Sequence, residues 1–164
     1  MSSYLKWLRG HVGHDLLVLP SVTAIITDED GRVLLAEDVG TGWWTAPGGA
    51  IDPGERPADA VLREMREELG VEVEATSILG VFGGSEFVVE YGNGDRVQYV
   101  MTVFACRIVD GEPVADGQEL ARFRFTAPGE HARMPLAPWT RHVLTRIDPG
   151  AMEARFDPPA LPPT

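Results

Sequence analysis

The chain has 164 residues, 44% of them hydrophobic, enough for one domain that buries a substantial core. Its formal net charge of −11 argues against a nucleic-acid-binding surface, which rests on phosphate neutralisation by Lys and Arg, and makes an anionic partner awkward without a metal ion. The segment MSSYLKWLRGHVGH lacks the continuous apolar core of an export signal, and LLVLPSVTAII is short and broken by Pro20, so no membrane association is expected and a cytoplasmic location follows by default.

In chain order, a short amphipathic stretch, Tyr4 to Arg9, precedes strands near 16–28 and 32–36 joined by a turn at Asp28 to Gly31. A glycine-rich loop then leads into a helix opened by Pro57 and closed by Gly70. Val71 to Val81 is strand-like. A hairpin follows, in which Asn93-Gly94 suits a tight primed turn between Glu86–Tyr91 and Asp95–Ile108. The second of these strands is apolar on both faces, as in a central strand covered on both sides, and carries the lone Cys106, which reads as a core thiol in a reducing compartment. Phe123 and Phe125 belong to a later strand. Trp139, Val143 and Ile147 line one face of a last helix starting near Pro138, and the tail DPPALPPT is extended and peripheral. Periodicity alone reaches an α+β class.

The chemistry concentrates in the helix after Pro57. At about 100° per residue, Glu64, Glu67 and Glu68 share roughly a third of its circumference, beside an apolar stripe of Ala58, Val61, Leu62, Met65 and Leu69. One flank is thus expected to be buried and the other acidic. Like charges at i,i+4 destabilise a bare helix by a few tenths of a kcal/mol, roughly, per pair. Arg63 offsets one unit. Hard oxygen ligands clustered on a rigid element are what Mg²⁺ or Mn²⁺ binds, and the plainer alternative is a solvated charged face.

Residues 49–71 resemble the signature of the Nudix hydrolase family, G-x5-E-x7-R-E-U-x-E-E-x-G-U with U aliphatic. Gly49, Glu55, Arg63, Glu64, Met65, Glu67, Glu68, Gly70 and Val71 fill every constrained position. A chance match in a chain this long has a probability on the order of 10⁻⁷, which decides against the plain solvated face. Trp44, Pro47 and Gly48 also stand where the family commonly has W-x-x-P-G-G. The resemblance implies an α/β fold, an α/β/α sandwich with a mixed central sheet. It divides the chain into an N-terminal extension (1–15), a Nudix domain (16–148) and a proline-rich tail (149–164).

The implied activity is divalent-metal-dependent hydrolysis of a phosphoanhydride in a nucleoside diphosphate linked to another moiety. Glu64, Glu67 and Glu68 would be metal ligands, with the Gly49 carbonyl and Glu55 in support. Arg63 would orient a glutamate, and the general base would be Glu64 or Glu119, the latter in a loop position where many members carry a metal-facing glutamate. Trp43 is a candidate for stacking on a nucleobase, whereas Trp44 is expected in the core. His11 and His14 lack the spacing of a helical metal pair. Arg56 stands in place of a side-chain N-cap, at a cost of about 1 kcal/mol, and Glu37-Asp38 replaces a basic residue common in the family. The expected partner is a nucleotide-type small molecule, a homodimer is left open, and the alternative function is a catalytically idle Nudix domain sensing nucleotides. Intact box carboxylates favour the enzyme. The substrate stays open among nucleoside triphosphates, nucleotide sugars, ADP-ribose-like and alcohol-linked nucleotides.

Overall fold

A computed structural model of the chain describes residues 3–151 and 153–158. Helix α1 (Ser3–Val12) precedes β1 (Leu17–Ile26) and β2 (Val33–Asp38), and two short strands, β3 (Trp44–Thr45) and β4 (Gly48–Ala50), lead into α2 (Pro57–Leu69). Then come β5 (Glu72–Phe82), a 3-10 turn at Ser85–Phe87, β6 (Val88–Glu90), β7 (Arg96–Asp110), β8 (Leu120–Thr126), a 3-10 segment at Pro128–Arg133 and α3 (Pro138–Leu144).

The main sheet is mixed, in the order β4-β1-β7-β5, with β6 also on β7. Strands β1 and β7 run parallel, from Leu17 opposite Val97 to Ile26 opposite Cys106, and the other pairings are antiparallel. Strands β3, β2 and β8 form a smaller antiparallel sheet. The period of two along β1 divides the interior. Val22, Ala24 and Ile26 share one core with Val61, Met65 and Leu69 of α2, while Ile25 joins Leu35, Trp44, Met101 and Val143 of α3 in a second. The result is the expected α/β class with helices on both faces.

Helix α2 keeps the predicted ends. Arg56 is extended (φ −80, ψ 146) and makes no side-chain cap, Pro57 follows, and Gly70 closes the helix at φ 66 with its N–H on the Arg66 carbonyl. The apolar stripe is narrower than periodicity implied, because Ala58 is exposed in the first turn, before the helix meets the sheet.

Other elements depart from expectation for local reasons. Only Gly94 of the Asn93-Gly94 pair has a positive φ, so the turn is not a primed one: Gly94 N–H bonds to the Tyr91 carbonyl and Tyr91 N–H to that of Asp95, giving a three-residue loop with a left-handed glycine. The strand expected over Glu86–Tyr91 shrinks to β6 behind a 3-10 turn. On β7, α2 covers Phe104 and Cys106 but leaves Val100 exposed, so the strand is covered on both faces over only part of its length. Ile147 lies beyond the end of α3 yet still packs on the second core.

Both flanks of the domain are tied down. Arg9 of α1 donates to the carbonyls of Gly13, Asp15 and Arg96 and stands 3.5 Å from Asp95, fixing the helix to the β6–β7 hairpin. Near the C-terminus the Arg155 backbone bonds to Leu79 and Val81 of β5, and the Asp157 carboxylate receives His142 and Arg146. The end of the proline-rich tail, 159–164, lies outside the described residues. Among the described residues no helix is long and apolar enough to cross a membrane.

Candidate active site

Two glycines set β4 between its neighbours: Gly48 lets it lie against β1, and Gly49 leaves room for the Glu64 carboxylate of α2. At Gly48 (φ 149) an added Cβ would stand 2.2 Å from the Val22 carbonyl oxygen, and at Gly49 one would stand 2.3 Å from Glu64 Oε1. A side chain at Gly48 would force β4 away from β1, and one at Gly49 would displace the Glu64 carboxylate of α2. With none there, the Gly48 N–H donates to Glu68 Oε2 at 3.0 Å. Glu64 and Glu68 are only 9% and 6% exposed, so they are not on the solvent flank that the helix pattern suggested. The strand–loop–helix approach buries them, and Glu67 alone of the three is exposed.

Arg63 organises this wall. Its Nε donates to Glu55 Oε1 at 2.8 Å and its Nη2 to Glu55 Oε2 at 2.9 Å, a bidentate fork, while Nη2 also reaches the Ala50 carbonyl at 3.0 Å. Nη1 is shared between Glu64 Oε1 at 2.8 Å and Glu67 Oε2 at 3.2 Å. The expected orienting role of Arg63 therefore has a geometric basis. Glu55, which also accepts the Asp52 N–H at 3.1 Å, braces the guanidinium from outside the cleft.

Glu64, Glu67 and Glu68 line a cleft of about 310 Å³ whose far side is Asp116, Gln118 and Glu119 of the β7–β8 connection. The sequence-predicted Glu119 thus does converge on the box carboxylates. Asp116 and Gln118 were missed. Their signal was the Asp-Gly pair at 116–117, a turn former whose carboxylate bonds to backbone N–H groups just downstream. Trp43 is 45% exposed and is not part of the cleft lining, whereas Trp44 is buried as expected, with the guanidinium carbons of Arg122 and Arg124 5.4 and 5.2 Å from its ring centroid. Glu37, where the family commonly has a basic residue, is paired with Arg122 from the neighbouring strand. His11 and His14 bond to the Trp7 carbonyl and Asp95, away from the cleft.

The electrostatics differ from residue to residue. Burial pushes the Glu68 carboxyl well above the usual carboxylate range, and repulsion from Glu64 adds to this against the opposing Gly48 N–H. Burial also raises Glu64, although Arg63 holds it back. Glu55 moves the other way, because the Arg63 hydrogen bonds favour its charged form. Buried carboxylates facing further carboxylates form a hard-oxygen donor set that suits a divalent cation. Among the described residues, no three acidic, His or Cys side chains already stand at coordinating separation. Cys106 is no part of this chemistry: burial pushes its thiol up to about 12.

The family profile for the NUDIX domain matches residues 18–147. The chain is 31% identical over 126 residues to the Nudix hydrolase YvcI of Bacillus subtilis strain 168, an alignment covering 77% of each protein. It is 42% identical over 65 residues to the RNA pyrophosphohydrolase of Pseudomonas fluorescens strain SBW25, which spans only 40% of this chain and 41% of that enzyme. The crystal structure of a MutT Nudix hydrolase from Burkholderia pseudomallei superimposes with a TM-score of 0.65 at 28% identity, covering 78% of this chain and 96% of that one. With Glu64, Glu67 and Glu68 of the signature gathered in one cleft, the chain belongs to the Nudix hydrolase family.

Proposed function

We propose that the enzyme hydrolyses a phosphoanhydride bond in a nucleoside diphosphate linked to another group, with Mg²⁺ or Mn²⁺ held by Glu64, Glu67 and Glu68 and supported by the Gly49 carbonyl. The observation carrying this reading is the burial of Glu64 and Glu68 against Gly48 and Gly49, opposite Glu119. When bound, a divalent cation would neutralise diphosphate oxygens and acidify the attacking water. The chain's own part is positioning. Arg63 fixes Glu64 and Glu67, Glu55 fixes Arg63, Gly49 leaves room for Glu64, and the Gly48 N–H holds Glu68. Without a cation the acidic walls would repel a phosphate.

Glu64 and Glu119 both line the cleft, and each is a candidate to take the proton of the attacking water. Their variants separate them. If Glu119 is the base, Glu119→Gln lowers kcat by about 10²- to 10⁴-fold and removes the acidic limb of the pH–rate profile, while Glu64→Gln weakens the metal response.

The substrate class extends from nucleoside triphosphates to nucleotide sugars, ADP-ribose-like and alcohol-linked nucleotides, with Trp43 as a candidate stacking residue. The charge of −11 speaks against a nucleic-acid polymer, and the buried Cys106 fits a cytoplasmic setting. The test is to incubate the purified protein with a panel of these compounds in Mg²⁺ or Mn²⁺ and measure released phosphate, pyrophosphate and nucleoside monophosphate. Turnover of at least one that stops with excess chelator is the expected result. Undiminished turnover in chelator would sink the metal mechanism, and no turnover of any compound would return the chain to the nucleotide-sensing alternative.

A further inference from the structure

The β7–β8 connection has no regular structure to hold Glu119 in place, yet it lines the cleft. It is tied to the end of α2 by two backbone hydrogen bonds, Val114 N–H to the Leu69 carbonyl at 2.8 Å and Asp116 N–H to the Glu68 carbonyl at 3.0 Å. The second ends on Glu68, the most buried of the acidic residues lining the cleft. From the same anchor, the Asp116 side chain turns onto the connection itself. Its Oδ1 accepts the N–H groups of Gln118 at 3.1 Å, Glu119 at 3.1 Å and Leu120 at 2.9 Å, and Oδ2 also receives Glu119 at 3.2 Å. Gly117, at φ 72, makes the reversal, and its N–H returns to the Leu120 carbonyl at 2.9 Å. On the far side the Glu119 carbonyl receives the Val39 N–H at 3.0 Å.

We infer that Asp116 is the positioning residue for Glu119: anchored to the Glu68 carbonyl, its carboxylate sets the Glu119 backbone and so the separation of the cleft's two walls. This rests on the proposed role of Glu119, as base or as metal-facing carboxylate. Asp116 lines the cleft but acts through hydrogen bonds, with its acceptor atoms turned to the backbone. A carboxylate used instead for its charge toward a cation would answer differently to substitution.

Two variants separate these uses. Asp116→Asn keeps the Oδ1 acceptor and loses the charge, whereas Asp116→Glu keeps the charge and displaces the acceptor by one methylene. The expected result is that Asp116→Asn stays within about threefold of wild-type kcat while Asp116→Glu loses about tenfold to a hundredfold, the penalty of an ångström-scale misplacement. KM should move by less than threefold or so in both, and the metal concentration for half-maximal rate should rise only in Asp116→Glu, and only where Glu119 faces the metal. In a Glu119→Gln background Asp116→Glu should cost nothing further, since residues acting as a unit are not additive. The reverse order, equal loss in both variants, or full additivity with Glu119→Gln would overturn the inference while leaving Glu119 in place. A Glu119→Gln enzyme with wild-type kcat across pH would remove the role of Glu119 itself, and the inference with it. Melting temperatures of both variants, read beside the kinetics, show whether any loss is one of folding.

Discussion

On α2 the separation of Glu64, Glu67 and Glu68 is dictated by helix geometry, about 1.5 Å of rise per residue, and the burial of two of them by Gly49, which leaves room for Glu64, and by the Gly48 N–H on Glu68. Across the cleft, Glu119 sits on a strand-to-strand connection, and its place depends on Asp116, Gly117 and two backbone bonds to the α2 carbonyls. The helix wall is rigid but electrostatically unfavourable, with two buried carboxylates of raised pKa. The loop wall is locally satisfied: burial works to raise the Asp116 carboxyl, but the N–H groups of Leu120, Gln118 and Glu119 bring it below the usual range. In the molecule without a cation, therefore, strain resides in the rigid wall and not in the loop.

The largest effect should come from removing charge on the helix wall. Glu67→Gln and Glu68→Gln should each lower kcat by roughly 10²- to 10⁴-fold at saturating nucleotide, since metal-borne charge stabilisation contributes several kcal/mol to such a transition state. Glu67 is the cleaner case because it is exposed and packs little. Steady-state rates across a titration of Mg²⁺ or Mn²⁺ give the measurement. Wild-type activity in both variants would remove these residues from the ligand set.

A smaller loss is expected on cutting the brace behind the wall. Arg63→Lys keeps a positive charge but cannot make the bidentate fork to Glu55 while also spanning Glu64 and Glu67. We expect kcat to fall about tenfold to a hundredfold, with a higher metal concentration for half-maximal rate, as for other groups that orient metal ligands. An unchanged metal response would mean that the charge of Arg63 matters and its geometry does not.

The two walls were unequally legible. Helix α2 could be read down to its closing Gly70, because Pro and Gly punctuate it and a box of fixed spacing fills it. The burial of Glu64 and Glu68 was not, since the helix pattern carries no information on how closely β4 approaches; Gly49, present in the sequence, is what leaves room for Glu64. On the other wall Glu119 was found only through a family resemblance. Asp116 escaped notice because a carboxylate that bonds to its own loop looks, in sequence, like any acidic turn residue. The Asn93-Gly94 turn failed for a related reason: the dipeptide favours a primed turn, but the register set by β6 and β7 leaves three residues to close the loop, and only Gly94 takes the left-handed conformation.

The smallest effect, and the one that probes the contrast between the walls most directly, is on stability without metal. The folded-state pKa of Glu68 is raised, first by burial and then by Glu64. Its contribution is therefore fully present below the unfolded-state value and is lost as pH rises through the folded one. The neutral Glu68→Gln side chain escapes that loss. In chelator, its melting temperature should equal that of wild type near pH 4 and exceed it increasingly toward pH 8, by about 2–4 °C for each kcal/mol relieved. Asp116 carries the opposite sign, because its folded-state pKa is lowered: its stabilisation is present above the unfolded-state value and is lost as pH falls through the folded one. Asp116→Asn should thus melt slightly below wild type at neutral pH and converge with it in acid. Adding Mg²⁺ or Mn²⁺ at pH 8 should stabilise wild type by mass action and shrink or reverse the advantage of Glu68→Gln. A Glu68→Gln variant less stable than wild type in chelator at every pH would show that the Gly48 hydrogen bond outweighs the burial of charge, and that the helix wall is not under strain.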